Sequence, residues 1–150
     1  MEARDVNTAA DAKRIVTERD IKNVKVGFID VDGVMRGKYL SREKFLGALD
    51  HGFAFCDVVL GWDSNDQLYE NVGTDFTGWH TGYADAQIRI LPETCREIPF
   101  EPETLFFLCE FAAEAARLCP RNLLGRVLER AELLGFRANA AFEYEFFMFN

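Results

Sequence analysis

Basic runs, paired cysteines and long apolar stretches are all missing from this sequence. No segment approaches the roughly 18 consecutive apolar residues of a bilayer-spanning helix. Near the N-terminus stand Arg4, Asp5, Asp11, Lys13 and Arg14, where a secretory leader needs an apolar stretch. Both absences predict a cytoplasmic protein with no membrane partner. Lys and Arg number 17 against 25 Asp and Glu, a net charge of −8 with a pI near 4.8. The positive field that supplies most nucleic-acid affinity is therefore absent. Cys56, Cys95, Cys109 and Cys119 make no CxxC or CxxH pair, which argues against a zinc knuckle or a redox dithiol and for reduced, mostly buried thiols. His51 and His80 are too few and too isolated to anchor a metal site.

What the chain does have is 150 residues, 49% of them hydrophobic, with 14 Phe. A chain of this length buries roughly 70% of its unfolded surface, enough for one core and not for a second full domain. So many phenylalanines predict heavy packing or an aromatic surface for a partner.

Along the chain, Thr8 to Arg19 reads as a short, mostly solvated helix suited to docking. Val24 to Asp30 reads as a strand that stops at Asp32-Gly33, a hairpin dipeptide, with Val34 to Leu40 returning beside it. Ser41 is a good N-cap, and Phe45, Leu46 and Leu49 recur at helical spacing until Gly52. Strand, hairpin, strand and helix make half of a β-grasp unit. Phe53 to Leu60 is apolar with Asp57 embedded, and Gly61 to Gly82 is turn-rich, which marks it as the working loop. Ala86 to Leu91, closed by Pro92, and Thr104 to Phe111 read as further strands of the same sheet. The second of these is apolar enough to be covered on both faces. Pro120 opens a helix whose Leu123, Leu124, Val127, Leu128, Ala131 and Leu134 form a wide apolar stripe up to Gly135. Ala138 to Phe149 reads as a final aromatic strand, and an edge so apolar predicts that the fold continues past Asn150.

Three groups of residues could carry chemistry. Glu143 and Glu145, two apart on that last strand, would share a face about 7 Å from each other. Parallel carboxylates in apolar surroundings call for hard cations, and this spacing suits two adjacent magnesium sites in phosphoryl transfer. The competing reading is a polar strand face turned to water. Asp30-Val31-Asp32-Gly33 resembles the start of haloacid-dehalogenase-like phosphatases, with Asp30 as nucleophile and Asp32 as acid/base; a plain hairpin turn is the stronger reading. Asp57, inside an apolar run, is either a cap or a ligand-facing group.

In their order, several stretches resemble the glutamine synthetase family. They are Phe28-Ile29-Asp30-Val31-Asp32-Gly33-Val34-Met35-Arg36-Gly37-Lys38, Gly52-Phe53-Ala54-Phe55-Cys56-Asp57, Gly82-Tyr83-Ala84-Asp85 through Leu91-Pro92-Glu93, Pro120-Arg121, and Glu143-Tyr144-Glu145-Phe146-Phe147. The resemblance implies an α+β fold: an N-terminal helical segment over 1–20, a β-grasp domain over 21–112, and the opening of a larger catalytic domain over 113–150. It also implies an ATP-dependent ligase that joins glutamate to ammonia or another amine through a γ-glutamyl phosphate, with magnesium or manganese as cofactor. A γ-glutamylpolyamine synthetase-like ligase is the alternative within the family. Glu143 and Glu145 map onto metal carboxylates, Glu143 nearest the nucleotide phosphates. Asp57 maps onto the catalytic aspartate that binds and deprotonates ammonium across a subunit boundary. Trp62 maps onto a tryptophan bordering the neighbour's active site, and Glu143 and Trp62 are the cofactor-binding residues that the resemblance implies. Homo-oligomeric rings with active sites between subunits are implied, and the remaining ligands are expected downstream of Asn150, so residues 1–150 alone should be inactive. Outside the family, an Asp-x-Asp phosphatase and a non-catalytic β-grasp module remain.

Overall fold

The computed structural model describes residues 1–69 and 76–149. Chain order is α1 (Ala9–Glu18), β1 (Asn23–Ile29), β2 (Met35–Ser41), α2 (Arg42–His51), β3 (Phe53–Cys56), β4 (Asp85–Ile90), β5 (Arg96–Ile98), β6 (Glu101–Phe111) and α3 (Pro120–Leu133), with short 3-10 turns between. The strands form one mixed sheet in the order β2-β1-β6-β4-β3, and β5 pairs with the first half of β6. At its centre β1 and β6 run parallel, and every other pairing is antiparallel. Parallel neighbours need a long crossover, and α2 lies within it, so the fold is α+β with a curled, β-grasp-like sheet.

Alternation builds the core. Val24, Val26 and Phe28 of β1 face the same side as Leu105, Phe107 and Cys109 of β6, and all are essentially sealed from solvent. Phe45 of α2 lies on Phe107 with ring centroids 4.8 Å apart, while Phe28 meets Phe55 and Phe111 edge to face at 4.9 and 4.8 Å. Each fully buried phenylalanine contributes about 1.5–3 kcal/mol through burial alone. β6 is nevertheless not covered on both faces: Phe106 and Leu108 are only half-buried, because α1 and α2 lie on one side. Curling brings the two end strands together, and Lys38 Nζ on β2 donates to the Ala54 carbonyl on β3 at 3.1 Å. Burial first, and Lys44 second, push the Lys38 ammonium below its ordinary pKa.

Helix α1 carries a full capping box, Thr8 with Asp11. Ala12, Ile15 and Val16 on one face are completely buried, so the helix is docked rather than mostly solvated. Ser41 caps α2 by accepting from the Lys44 amide at 3.3 Å. The hairpin is not a two-residue turn. Ile29 pairs with Met35, leaving Asp30 to Val34 as a loop in which Gly33 takes φ +83°. The Asp-Gly dipeptide still makes the reversal, because glycine alone adopts that conformation freely.

The expected strand over Ala138 to Phe149 is absent. This segment has no regular structure among the described residues, and Phe142, Tyr144, Phe146, Phe147, Met148 and Phe149 are exposed. A strand needs a neighbour to take its backbone hydrogen bonds, and none of the described strands lies beside it. Helix α3 forms as expected but buries none of its residues. It is held at its start, where Asn122 Nδ2 donates to the Phe111 carbonyl at 2.7 Å and the buried Glu110 is flanked by Arg89 and Arg121. The cysteines are free thiols, and burial raises Cys95 to about 11 and Cys109 to about 12.

Two glycines give opposite expectations. A Cβ on Gly37 would meet the Val26 carbonyl oxygen at 2.2 Å, whereas one on Gly47 of α2 meets nothing within 4 Å. Gly47→Ala should stabilise the chain by about 0.5–1 kcal/mol, and Gly37→Ala should destabilise it by separating β1 from β2. Urea unfolding of the two variants checks both signs.

Candidate active-site elements

The site is built where β3 leaves the sheet. After Cys56 the chain turns into a 3-10 segment, Asp57–Leu60, which seats Val59 and Leu60 in the core. This turn carries Asp57 inward. Its backbone N–H bonds the Ala84 carbonyl at 3.0 Å, and its carboxylate accepts from the Thr77 hydroxyl at 2.9 Å. Only 4% of Asp57 is exposed. Burial raises its pKa above the ordinary value for aspartate, the Thr77 hydrogen bond opposes this, and the charge of Asp85 adds to it. A groove of about 450 Å³ opens beside it, lined among others by Phe76, Thr81, Asp85, Glu114 and Arg117. Its charge is mostly negative, which suits a cationic or amine ligand.

Trp62 follows on the same loop. It is half-buried, forms an isolated bridge with Leu68, and lies under the Arg36 guanidinium, 5.2 Å from ring centre to charge. Its indole Nε1 is buried without a hydrogen-bond partner among the described residues. Asp57 and Trp62 are thus brought into one neighbourhood. Residues 70–75 of the expected working loop lie outside the described residues.

Glu143 and Glu145 are elsewhere: both are exposed on the segment after α3, with no hydrogen bond or ion pair to Asp57 or Trp62 among the described residues. Two carboxylates offer the hard oxygens that magnesium takes, yet such a cation wants about six ligands. No group of three or more His, Cys, Asp or Glu among the described residues could hold a metal ion. The described residues therefore do not complete a metal centre by themselves.

Asp30 and Asp32 are structural. Asp30 is fully buried; one oxygen accepts the Asp32 and Val34 amides at 3.0 and 2.8 Å, and the other accepts Arg36 Nε at 2.7 Å. A nucleophilic carboxylate needs an oxygen open to substrate, and here both are spoken for. Asp32 accepts from the Ser64 amide at 2.9 Å and the Tyr69 hydroxyl at 2.8 Å. That bond to Asp32 lifts the Tyr69 phenol to about 12. Phosphatase chemistry therefore has no support at this position. The roles of Arg36, Thr77 and Tyr69 were not legible in the sequence, because each bonds a residue 20 or more positions away.

Comparison with known proteins now decides the family. Over 142 residues the chain is 38% identical to the glutamate–isopropylamine ligase of Pseudomonas sp, an alignment covering 90% of this chain and 30% of that protein. It is 38% identical over 130 residues to type-1 glutamine synthetase 2 of Dictyostelium discoideum, covering 85% and 25%. This chain belongs to the glutamine synthetase family. A third relative is the γ-glutamylethanolamide synthetase GlnA4 of Streptomyces coelicolor, 31% identical over 139 residues, covering 90% and 30%. The fold matches the solved Plasmodium falciparum glutamine synthetase with a TM-score of 0.62 at 17% identity, covering 90% of this chain and 24% of that one. A GmaS/ADP complex matches at 0.60 and 20% identity, covering 81% and 25%. No family model matches the chain. The chain spans about 25–30% of the length of these curated relatives. No described helix is long and apolar enough to cross a membrane.

The environment of Asp57 sets a pH dependence. Its folded pKa is raised, so the native state holds the proton more tightly than the unfolded chain does. Stability from this group is present below the ordinary aspartate value of 3.8 and is lost as pH rises through the folded pKa. Asp57→Asn should therefore gain stability relative to the parent at pH 7, and the gain should vanish below 3.8. Melting curves of the two chains across pH 3 to 8 (about five points) check this.

Proposed function

We propose that this chain is the N-terminal part of an ATP-dependent ligase that joins the γ-carboxylate of glutamate to ammonia or a small amine. The observation that carries the reading is the buried Asp57 facing a negatively charged groove, within a chain 38% identical to a ligase named for glutamate and isopropylamine. In this reading residues 21–112 form the small domain and residues 113–150 open the catalytic domain. The bare apolar stripe of α3, with Leu123, Leu124 and Val127 more than half exposed, supports a further layer packing there.

Asp57 is the proposed amine-side group. A carboxylate held in a low-dielectric turn attracts a cationic amine more strongly than one in water, and its raised pKa brings it nearer to the range in which it can take a proton from that amine. Thr77 fixes one carboxylate oxygen and so orients the other. Trp62 supplies a flat apolar wall at the same loop, proposed to border the nucleotide end of a neighbouring subunit's site. Glu143 and Glu145 are proposed to contribute two oxygens to magnesium or manganese sites completed by residues outside this chain. The cation would neutralise phosphate charge while the γ-phosphoryl group of ATP passes to glutamate. Assembly as a homo-oligomer, with sites shared between subunits, is part of this proposal, and the exposed Trp79 supports it. The identity of the amine is open among ammonia, alkylamines, ethanolamine and polyamines, because the relatives' names span several of these classes.

The test uses a polypeptide extended to the relatives' length and a panel of amines, with glutamate- and amine-dependent ADP release as the readout. Glu143→Ala should lower kcat on the order of 10²-fold or more, Asp57→Asn should act through the amine, and residues 1–150 alone should form no amide. Turnover surviving Glu143→Ala, or amide formation by residues 1–150, would sink the reading.

A further inference from the structure

Arg36 distributes its guanidinium between two parts of the chain distant in sequence. It stands on β2 opposite Phe28 of β1, with 15% of its side chain exposed. Nε donates back into the hairpin, to the buried Asp30 at 2.7 Å. Nη2 donates across to the Asp63 carbonyl at 3.0 Å, and Nη1 donates to the Asp66 carboxylate. The plane of charge then covers Trp62. All three nitrogens are used, and two of them hold the loop over residues 61–69.

That loop is internally closed. Asp63 caps it by accepting the Asn65 and Gln67 amides at 2.8 and 3.0 Å, and the Tyr69 amide bonds the Gly61 carbonyl at 2.9 Å. Asp66 sits at φ +62°, a conformation aspartate tolerates but most side chains do not. A closed loop moves as a unit, so its anchors decide where Trp62 stands. Position passes on to Asp57 by contact. The Gly61 amide bonds the Val58 carbonyl at 2.8 Å, and Gly61 packs so closely on Thr77 that an added Cβ would lie 3.2 Å from its methyl group. Thr77 in turn holds the Asp57 carboxylate.

We propose that Arg36 is a positioning residue that clamps the closed loop 61–69 onto the β1–β2 hairpin and thereby fixes Trp62 and the Thr77–Asp57 pair. The functional half of this rests on the reading of Asp57 as the amine-side group. The guanidinium is required for its shape as well as its charge, since lysine offers a single point of attachment. Asp30, with both oxygens filled, serves as the fixed end of the clamp. Its neighbours raise the pKa of Arg36 further, Asp30 foremost, so the guanidinium itself stays charged.

The experiment is amide hydrogen exchange on the chain with Trp79→Phe, which leaves Trp62 as the single tryptophan of the two. The Asp32 and Val34 amides, bonded to Asp30, report the hairpin; the Asp63, Gln67 and Tyr69 amides report the loop. Arg36→Lys should speed exchange in the loop about ten-fold or more while the hairpin amides stay within about two-fold, as expected when hydrogen bonds to a charged group are lost at one end only. Acrylamide quenching of Trp62 should rise in parallel. Loop exchange unchanged in Arg36→Lys, or hairpin and loop amides lost together, overturns the proposal. Should Arg36→Lys unfold, Asp66→Asn removes the loop-side charge and leaves Asp30 untouched; it should give the same split, smaller in size, and an unchanged loop there overturns the proposal equally. In the extended polypeptide Arg36→Lys should raise the KM for amine with little change in the KM for ATP. The exchange split does not depend on turnover, so its presence without any amide-forming activity would sink the ligase reading and leave the clamp standing.

Discussion

A carboxylate sealed from water at the end of β1 organises much of the rest of this fold. Asp30 has no exposed surface, and an unpaired charge in such a place is costly enough that removing one partner of a buried pair typically destabilises by about 3–5 kcal/mol. Its partners are two amides of the hairpin loop and the guanidinium of Arg36. Satisfying Asp30 therefore requires the hairpin to close with Gly33 at positive φ, β2 to return in register, and Arg36 to lie across the turn. With Arg36 so placed, its remaining donors face outward, where Asp63 and Asp66 meet them. A requirement set by one buried side chain thus reaches, through Arg36, a loop 27 to 30 residues beyond that arginine.

The sheet behind this hairpin supplies rigidity. Its central parallel pair is sandwiched between antiparallel neighbours, and its curl brings Lys38 of one end strand to the backbone of the other. Asp57 leaves from β3, on the rim of this sheet, so the scaffold fixes where its turn begins while Thr77 and the clamped loop hold its carboxylate.

Beyond Phe111 the physical situation reverses. Helix α3 is tied to the sheet by polar contacts at its first turn, through Glu110 and Asn122, while its apolar stripe and the aromatic segment after it lie bare. An exposed apolar area of that extent is a surface awaiting cover. Glu143 and Glu145 share this condition. Carboxylates on a segment without a pairing partner have no defined direction, and whatever role they have is set by what packs against Phe142, Tyr144 and Phe146.

Hydrophobic periodicity made the helices and main strands legible, since burial of one face is written into the spacing of apolar residues. The caps at Thr8 and Ser41 and the reversal at Gly33 were legible for the same local reason. β5 was not, being three residues long with no buried side chain. The aromatic run after Ala138 was misread as a strand because alternation records what a segment could pair with, not whether a partner is there. By itself the sequence determined the helices, the strands β1, β2, β4 and β6, the chain reversal at Gly33 and the resemblance to the family, all of which rest on neighbours along the chain. Only tertiary structure decided that Asp30 is a fixed anchor rather than a nucleophile, that Arg36 holds the Trp62 loop, and that Asp57 is sealed beside Thr77. Burial and hydrogen-bond partnership depend on residues brought together across tens of positions, and no local pattern encodes which of them will meet.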